Sequence, residues 1–413
     1  MKEATVLGST LCKRILAIML CVCILVMACG CDSIDYKKAT KLYNNGEWDE
    51  AIEIFESLGS YEDSEDMINA CNYEKATELY ENKEYDEAIE IFESLGSYED
   101  SEDMVNACNY EKATGLYENK DYDGAIEIFE SLGSYEGSEE MVNACNYEKA
   151  TELYKNKDYD GAIEIFESLG EYKDSTEQIA FCKLAQKLIN IRNANVGDYV
   201  YFGSYEQDND TTNGKEDIEW LVLDKQGSKV LLLSHYGLDA QPYNAEDVDT
   251  TWENCTLRTW LNETFINNAF SSAEQQNILL TDVDNSQSQC CSEWDTTGGN
   301  NTQDKVFLLS YAEANKYLDV TNEDAFNCTN TKSRVAPTKY AKSQGAYSTN
   351  NESIPELRDK TDDGLHAGFW WLRSPYDDLN FAAIVFSTGS LGGSIVDLDV
   401  ICVRPSLWID FEA

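Results

Sequence analysis

Two histidines, His235 and His366, are the only imidazoles in this 413-residue chain. A histidine-ligated zinc site or a Ser-His-Asp nucleophile is therefore poorly supplied. Neither a G-x-S-x-G elbow nor a glycine-rich phosphate loop occurs. Carboxylates are abundant, so paired-carboxylate hydrolysis stays open as an alternative. Asp208-x-Asp210-x-Thr212, ending at Glu219, approximates calcium-loop spacing, but Asn213 stands where glycine is needed. A turn between two strands is the reading adopted; calcium stays open, and no other cofactor is expected. The other candidates are guanidinium groups in apolar company. Arg373 follows Trp370-Trp371-Leu372, and Arg404 follows Val403. Such groups need carboxylate or carbonyl partners, which Asp397 or Asp399 could provide. They either tie loops together or face a ligand. Trp371, Arg373, Asp399 and Arg404 are thus the candidate ligand-binding residues, with no catalytic residue and no metal ligand assigned. If the segment is extended, Trp370 and Trp371 point to opposite faces, one toward core and one toward surface.

Lys13 and Arg14 precede an apolar run from Ile15 to Ala28, short of the roughly 20 residues of a membrane span. It ends in Val26-Met27-Ala28-Cys29-Gly30-Cys31, which resembles a bacterial lipobox, with Cys29 acylated and Cys31 the second choice. Residues 1–28 then form a lipoprotein signal peptide and 29–35 a lipidated tether. The implied location is the extracellular face of the cytoplasmic membrane, the lipid being the membrane contact.

With 77 acidic against 31 basic side chains, the formal net charge is −46. Phosphate binding needs clustered Lys and Arg, so nucleic acid is not an expected partner.

The sequence Ala-Ile-Glu-Ile-Phe-Glu-Ser-Leu-Gly occurs at 51–59, 88–96, 125–133 and 162–170, a period of 37. Trp48, Ala51, Ile52, Phe55 and Leu58 make one apolar stripe at helical spacing, closed by Gly59. A second helix is expected from Ser64, as N-cap, through Ile68, Cys71, Ala76 and Leu79. Stacked units bury what one unit cannot, which gives a solenoid. The pattern Ala39-x-x-Leu42-Tyr43-x-x-Gly46-x-Trp48-x-x-Ala51-Ile52-x-x-Phe55 resembles the tetratricopeptide repeat, although the period exceeds that family's 34 and no proline closes the second helix. Four repeats and a capping helix should fill 36–192. The resemblance implies peptide or protein binding, and the second repeat (73–109), with twelve acidic and two basic residues, would favour basic segments. Near-identical steps favour a spacer instead. Cys71, Cys108, Cys145 and Cys182 share one phase. Neighbouring helices lie about 8–10 Å apart and bridged Cα atoms within about 7 Å, so these thiols are expected as small core residues.

Residues 193–413 abandon the repeat. Strands are expected at 199–202, 219–223, 230–233, 382–386 and 396–403, and helices at 257–270, 274–280 and 312–318. The ordered motifs Phe202-Gly203-Ser204-Tyr205-Glu206-Gln207, Leu257-Arg258-Thr259-Trp260-Leu261-Asn262, Phe307-Leu308-Leu309-Ser310, Trp370-Trp371-Leu372-Arg373-Ser374-Pro375 and Val403-Arg404-Pro405-Ser406-Leu407-Trp408 are similar to a family of bacterial domains of unknown function on exported Gram-positive proteins. That family looks distantly like the sulfatase-modifying (formylglycine-generating) enzymes and the C-type lectin fold. The resemblance implies an α+β domain whose loops present a ligand site. The oxidase would need reactive thiols near the C-terminus, yet 370–375 has none and Cys402 stands alone. Cys255, Cys290, Cys291, Cys328 and Cys402 are odd in number; a Cys328 bridge to Cys290 or Cys291 is feasible, but spacing does not give connectivity. The expectation is an α+β chain overall: an all-α tetratricopeptide-like solenoid, then a C-type-lectin-like domain. It would be a non-catalytic surface lipoprotein that binds an external protein, peptide, glycan or matrix component. The alternative is a surface hydrolase or protein-modifying enzyme acting through the C-terminal domain.

Overall fold

The computed structural model describes residues 31–318, 320, 332–353 and 366–411. The apolar run 15–28, Cys29 and Cys328 lie outside them. The chain divides into two compact units at Ile179/Ala180, and each is described by itself.

The first unit is helical: α1 (31–44), α2 (Trp48–Leu58), α3 (Ser64–Glu81), α4 (Tyr85–Leu95), α5 (Ser101–Glu118), α6 (Tyr122–Leu132), α7 (Ser138–Lys155), α8 (Tyr159–Leu169) and the start of α9 (Ser175–Asn193). Short and long helices alternate because each repeat carries one amphipathic 11-residue segment and one 18-residue helix. Small residues let the helices close on a single aromatic. Ala39, Ala51 and Cys71 surround Phe55, and Ala76, Ala88 and Cys108 surround Phe92. Tyr36 meets Phe55 edge-on at 5.6 Å between ring centroids, and Tyr73 meets Phe92 in the same way. The repeat cysteines are free and fully buried, as core residues, and burial pushes the Cys71, Cys108 and Cys145 thiols up to about 11. Ser64 is not the N-cap that its type suggests. It is the first helical residue, and its hydroxyl donates back to the Tyr61 carbonyl at 2.6 Å.

The repeat pattern puts the domain boundary at 192/193, whereas the compact units part inside α9. The reason lies in its second half, where Ile191 is buried in the second unit's core and Leu184 and Leu188 pack against that core.

The second unit holds two main sheets. In the first, β1 (Tyr199–Tyr205), β2 (Glu216–Gln226), β3 (Lys229–Ser234) and β13 (Ser406–Asp410) are all antiparallel, with β1 at one edge. In the second, the order is β11 (Leu391–Ile395), β10 (Phe381–Val385), β9 (Trp370–Pro375), β12 (Cys402–Val403) and β4 (Asp239–Ala240). β12 runs parallel to β9; the other pairings are antiparallel. Two small pairs join β5 (Thr281–Val283) to β6 (Thr302–Asp304) and β7 (Ser348–Ser353) to β8 (His366–Gly368).

Several expected elements are redrawn. The strand expected at 396–403 is a turn, with β11 ahead of it and only Cys402–Val403 extended at its end. The helix expected at 274–280 is short, Ser272–Gln275. Its continuation is drawn beside β13, where Ile278 bridges Ile409 and the Leu279 N–H donates to the Trp408 carbonyl. Sheet pairing there overrides helical propensity. The helix expected at 257–270 forms over 256–269, with a π-helical turn at Leu261–Phe265. Trp370 and Trp371 do point to opposite faces of β9, yet both are fully buried. β9 is the central strand of its sheet and is covered on both sides.

Candidate functional site

The motif residues singled out by the sequence hold the second unit together from within. Arg373 is buried, and each of its five N–H groups is used. Nε donates to Asn285 Oδ1 at 3.2 Å. Nη1 donates to the Leu308 carbonyl at 2.8 Å and to Glu313, and Nη2 to the Asp284 carbonyl at 2.9 Å and to the second Glu313 oxygen at 3.1 Å. Its acidic partner is therefore Glu313, and not Asp397 or Asp399, which sit exposed on the 396–401 turn. Glu313 is placed by a capping box: its carboxylate accepts from the Ser310 N–H at 2.9 Å, and its own N–H donates to Ser310 Oγ at 3.0 Å.

Arg404 is also buried, stacked 4.8 Å over the Trp370 ring, with Nε donating to the Ser234 carbonyl at 2.9 Å. Burial lowers its pKa to about 10. Trp371 donates its indole N–H to the Gln241 carbonyl. Of the four candidate ligand residues, Trp371, Arg373 and Arg404 are inside the core, and Asp399 alone reaches solvent. A second buried tie joins Arg258 Nε and the Trp252 indole to the two oxygens of Asp304, at 2.6 and 2.9 Å.

Asp239, Cys255 and Cys402, which carry acid–base or thiol chemistry by type, are buried. Asp239 is 2% exposed. It accepts from the Tyr205 hydroxyl at 2.5 Å, from the Ala240 N–H and from Gln241. Burial raises its pKa against those donors. Cys255 and Cys402 are pushed up to about 12 by burial, which keeps them as inert thiols.

The calcium-like string folds as a turn between β1 and β2. Asp210 Oδ1 accepts from the N–H and the hydroxyl of Thr212. Glu219 is not a member: it pairs with His235 Nδ1 and accepts from the Tyr201 hydroxyl at 2.9 Å. The carboxylates that do converge are Glu206, Asp208 and Glu216, with one oxygen of each within 4.8 Å of the others. Burial and the neighbouring Glu216 raise Glu206.

A concave surface lies elsewhere in this unit, between the C-terminal half of α9 and the outer face of β1. It encloses about 950 Å³. Lys183, Gln186, Lys187, Asn190 and Asn193 line it from the helix, and Tyr199 and Tyr201 from the strand. Strand alternation puts Val200 and Phe202 in the core and turns Tyr199 and Tyr201 outward, 49% and 46% exposed. The strand was legible in Tyr199-Val200-Tyr201-Phe202, but not which of its faces stays exposed. The polar helix face opposite was not, because only the fold brings it to β1.

Residues 227–411 match DUF6273, a domain of unknown function, and residues 32–182 match the soluble NSF attachment protein (SNAP) family. The chain thus joins SNAP- or tetratricopeptide-like helical repeats to a DUF6273 domain. A solved structure described as a kinesin light chain of nearly identical TPR-like repeats, from Podosopora anserina, matches at 18% identity. It covers 37% of this chain and 86% of that one, with a TM-score of 0.16. A single-substitution form of that protein matches at 18% identity over 37% and 85% of the two chains, with a TM-score of 0.15. No curated protein matches the chain. Among the described residues no helix is long and apolar enough to cross a membrane.

Proposed function

We propose that this chain is an exported, lipid-anchored binding protein: Cys29 carries the lipid, the repeats serve as a protein scaffold or spacer, and the C-terminal domain binds an external ligand without catalysis. The observation that carries it is a contrast within the second unit. Arg373, Asp239, Cys255 and Cys402 are buried and the first two are saturated with partners, whereas the open cleft presents aromatic rings and amides beside Lys183, the Lys187–Asp217 ion pair and Asp198, which accepts from the Asn195 N–H. The cleft's rings and amides are binding groups, and two of its four charged groups are already paired with each other. For the repeats, tetratricopeptide-like arms commonly hold protein partners, and a basic segment would suit the acidic surface. The uniformity of the steps favours the spacer, since Phe55, Phe92, Phe129 and Phe166 occupy the same packed position in turn.

Expression in a Gram-positive host tests both halves. The wild-type chain is expected in the membrane fraction with labelled palmitate incorporated, and Cys29→Ala in the medium without it. The purified chain is expected to bind saturably to a glycan or peptide array. Turnover of an arrayed compound instead of retention would sink the non-catalytic reading.

A further inference from the structure

We infer that the cleft between α9 and β1 is a binding site for a neutral oligosaccharide; this rests on the binding reading above and gives it a place and a ligand class. Consider first the strand wall. Tyr199 and Tyr201 are two residues apart on an extended strand, so their rings stand side by side at roughly 7 Å on the outward face. The rings are held from behind. The Tyr201 hydroxyl donates to Glu219 at 2.9 Å, Glu219 pairs with His235, and the His235 ring lies 4.5 Å from Tyr199 and 4.5 Å from Tyr236. A platform fixed before binding loses little freedom when a ligand arrives.

The helix wall is polar in a particular way. Gln186, Asn190 and Asn193 fall at i, i+4 and i+7 and so share one face. A carboxamide both donates and accepts, as a sugar hydroxyl does. A pyranose has an apolar C–H face and a hydroxyl rim, and the two walls match those two surfaces. Charge narrows the class. The lining holds Lys183 and Lys187 against Asp198 and Asp217, and Lys187 is already paired to Asp217 at 2.6 Å. This balance, on a chain of net charge −46, favours neither a polyanion nor a basic peptide. The aliphatic lining is Ala194 and the buried Val200, which offers no pocket for an apolar peptide anchor. At about 950 Å³ the space holds more than one sugar ring.

The test titrates the full-length chain in detergent with cellotetraose, mannotetraose and chitotetraose, and in parallel with a random peptide library on beads. Saturable binding of at least one tetrasaccharide is expected. Tyr199→Ala and Tyr201→Ala should each weaken it about tenfold or more, the loss of one stacked ring. Tyr201→Phe, which keeps the ring, should change it by less than about threefold. Asn190→Ala, at an exposed helix position, guards against loss of fold and should also weaken binding. Saccharide binding untouched by these variants would overturn the assignment of the cleft. Peptide binding that the tyrosine variants abolish, with no saccharide bound, would overturn the ligand class and leave the binding reading standing. Binding of neither class would overturn both.

Discussion

At the scale of single residues, Arg373 shows how a buried charge is made tolerable: five donors meet five acceptors, two of them on one carboxylate. Removing it strands Glu313 beside empty carbonyls. Arg373→Gln should destabilise the C-terminal unit by about 3–5 kcal/mol, read as a lowered urea midpoint. Arg373→Lys should recover little of this, because an ammonium does not reproduce the planar fork. Tyrosine–aspartate pairs make a second test in the repeats. The hydroxyls of Tyr36, Tyr73 and Tyr147 donate to Asp63, Asp100 and Asp174, and each tyrosine pKa is raised to about 12, chiefly by that bond. The folded state therefore holds these protons more tightly than the unfolded one. Their contribution is whole below about pH 10 and is lost as pH rises through about 12. Urea midpoints measured at pH 9 and pH 11 should fall less steeply for the Asp63→Ala, Asp100→Ala, Asp174→Ala triple variant. An unchanged slope would detach the pairs from stability.

Among the elements, the helix ends carry the strain. Gly46 sits at φ 79°, and its counterparts in later repeats are Lys83, Lys120 and Lys157, at φ 64–65°. That left-handed conformation costs a lysine what it does not cost glycine. Lys120→Gly should raise stability by about 0.5–1 kcal/mol, and the gain should repeat at Lys83 and Lys157. Gly96 is the converse. It closes α4 at φ 58°, ψ −122°, a region for glycine alone, with nothing within 4 Å of an added Cβ. Gly96→Ala should cost about 1–3 kcal/mol through backbone strain and not through a clash. Thermal denaturation of both variants would separate the two signs.

For the whole molecule, charge is the dominant global property. Lys75–Asp49, Lys112–Asp86 and Lys149–Asp123 form exposed ion pairs between helices, each worth at most about 1 kcal/mol. Against them stands the repulsion among twelve acidic and two basic residues in the second repeat. Repulsion should win. Raising salt from about 0.1 M to about 1 M, which cuts the screening length from about 10 Å to about 3 Å, should raise the unfolding temperature of the repeats. A fall would make the ion pairs the larger effect.

The chain by itself determined whatever depends on near neighbours. The 37-residue period, the Ala-Phe stripe, the Gly59 stop and the core role of Cys71 all follow from spacing within one or two turns of helix, so the repeats were legible before any coordinates. So was a strand at 199–202, though not that Tyr199 and Tyr201 are its exposed side chains. Tertiary structure decided what depends on distant pairing. Glu313 meets Arg373 across 60 residues, and the capping box at Ser310 announces only the helix end, not the partner. Trp371 was as good a surface candidate as a core one until β9 was found central in its sheet. The cleft exists because the second half of α9 lies beside β1, an arrangement set by Ile191 entering the core. Local propensity decays within a few residues along the chain, whereas burial is settled by which surfaces meet; only the fold can say which charged side chain is inside and which ring is left in water.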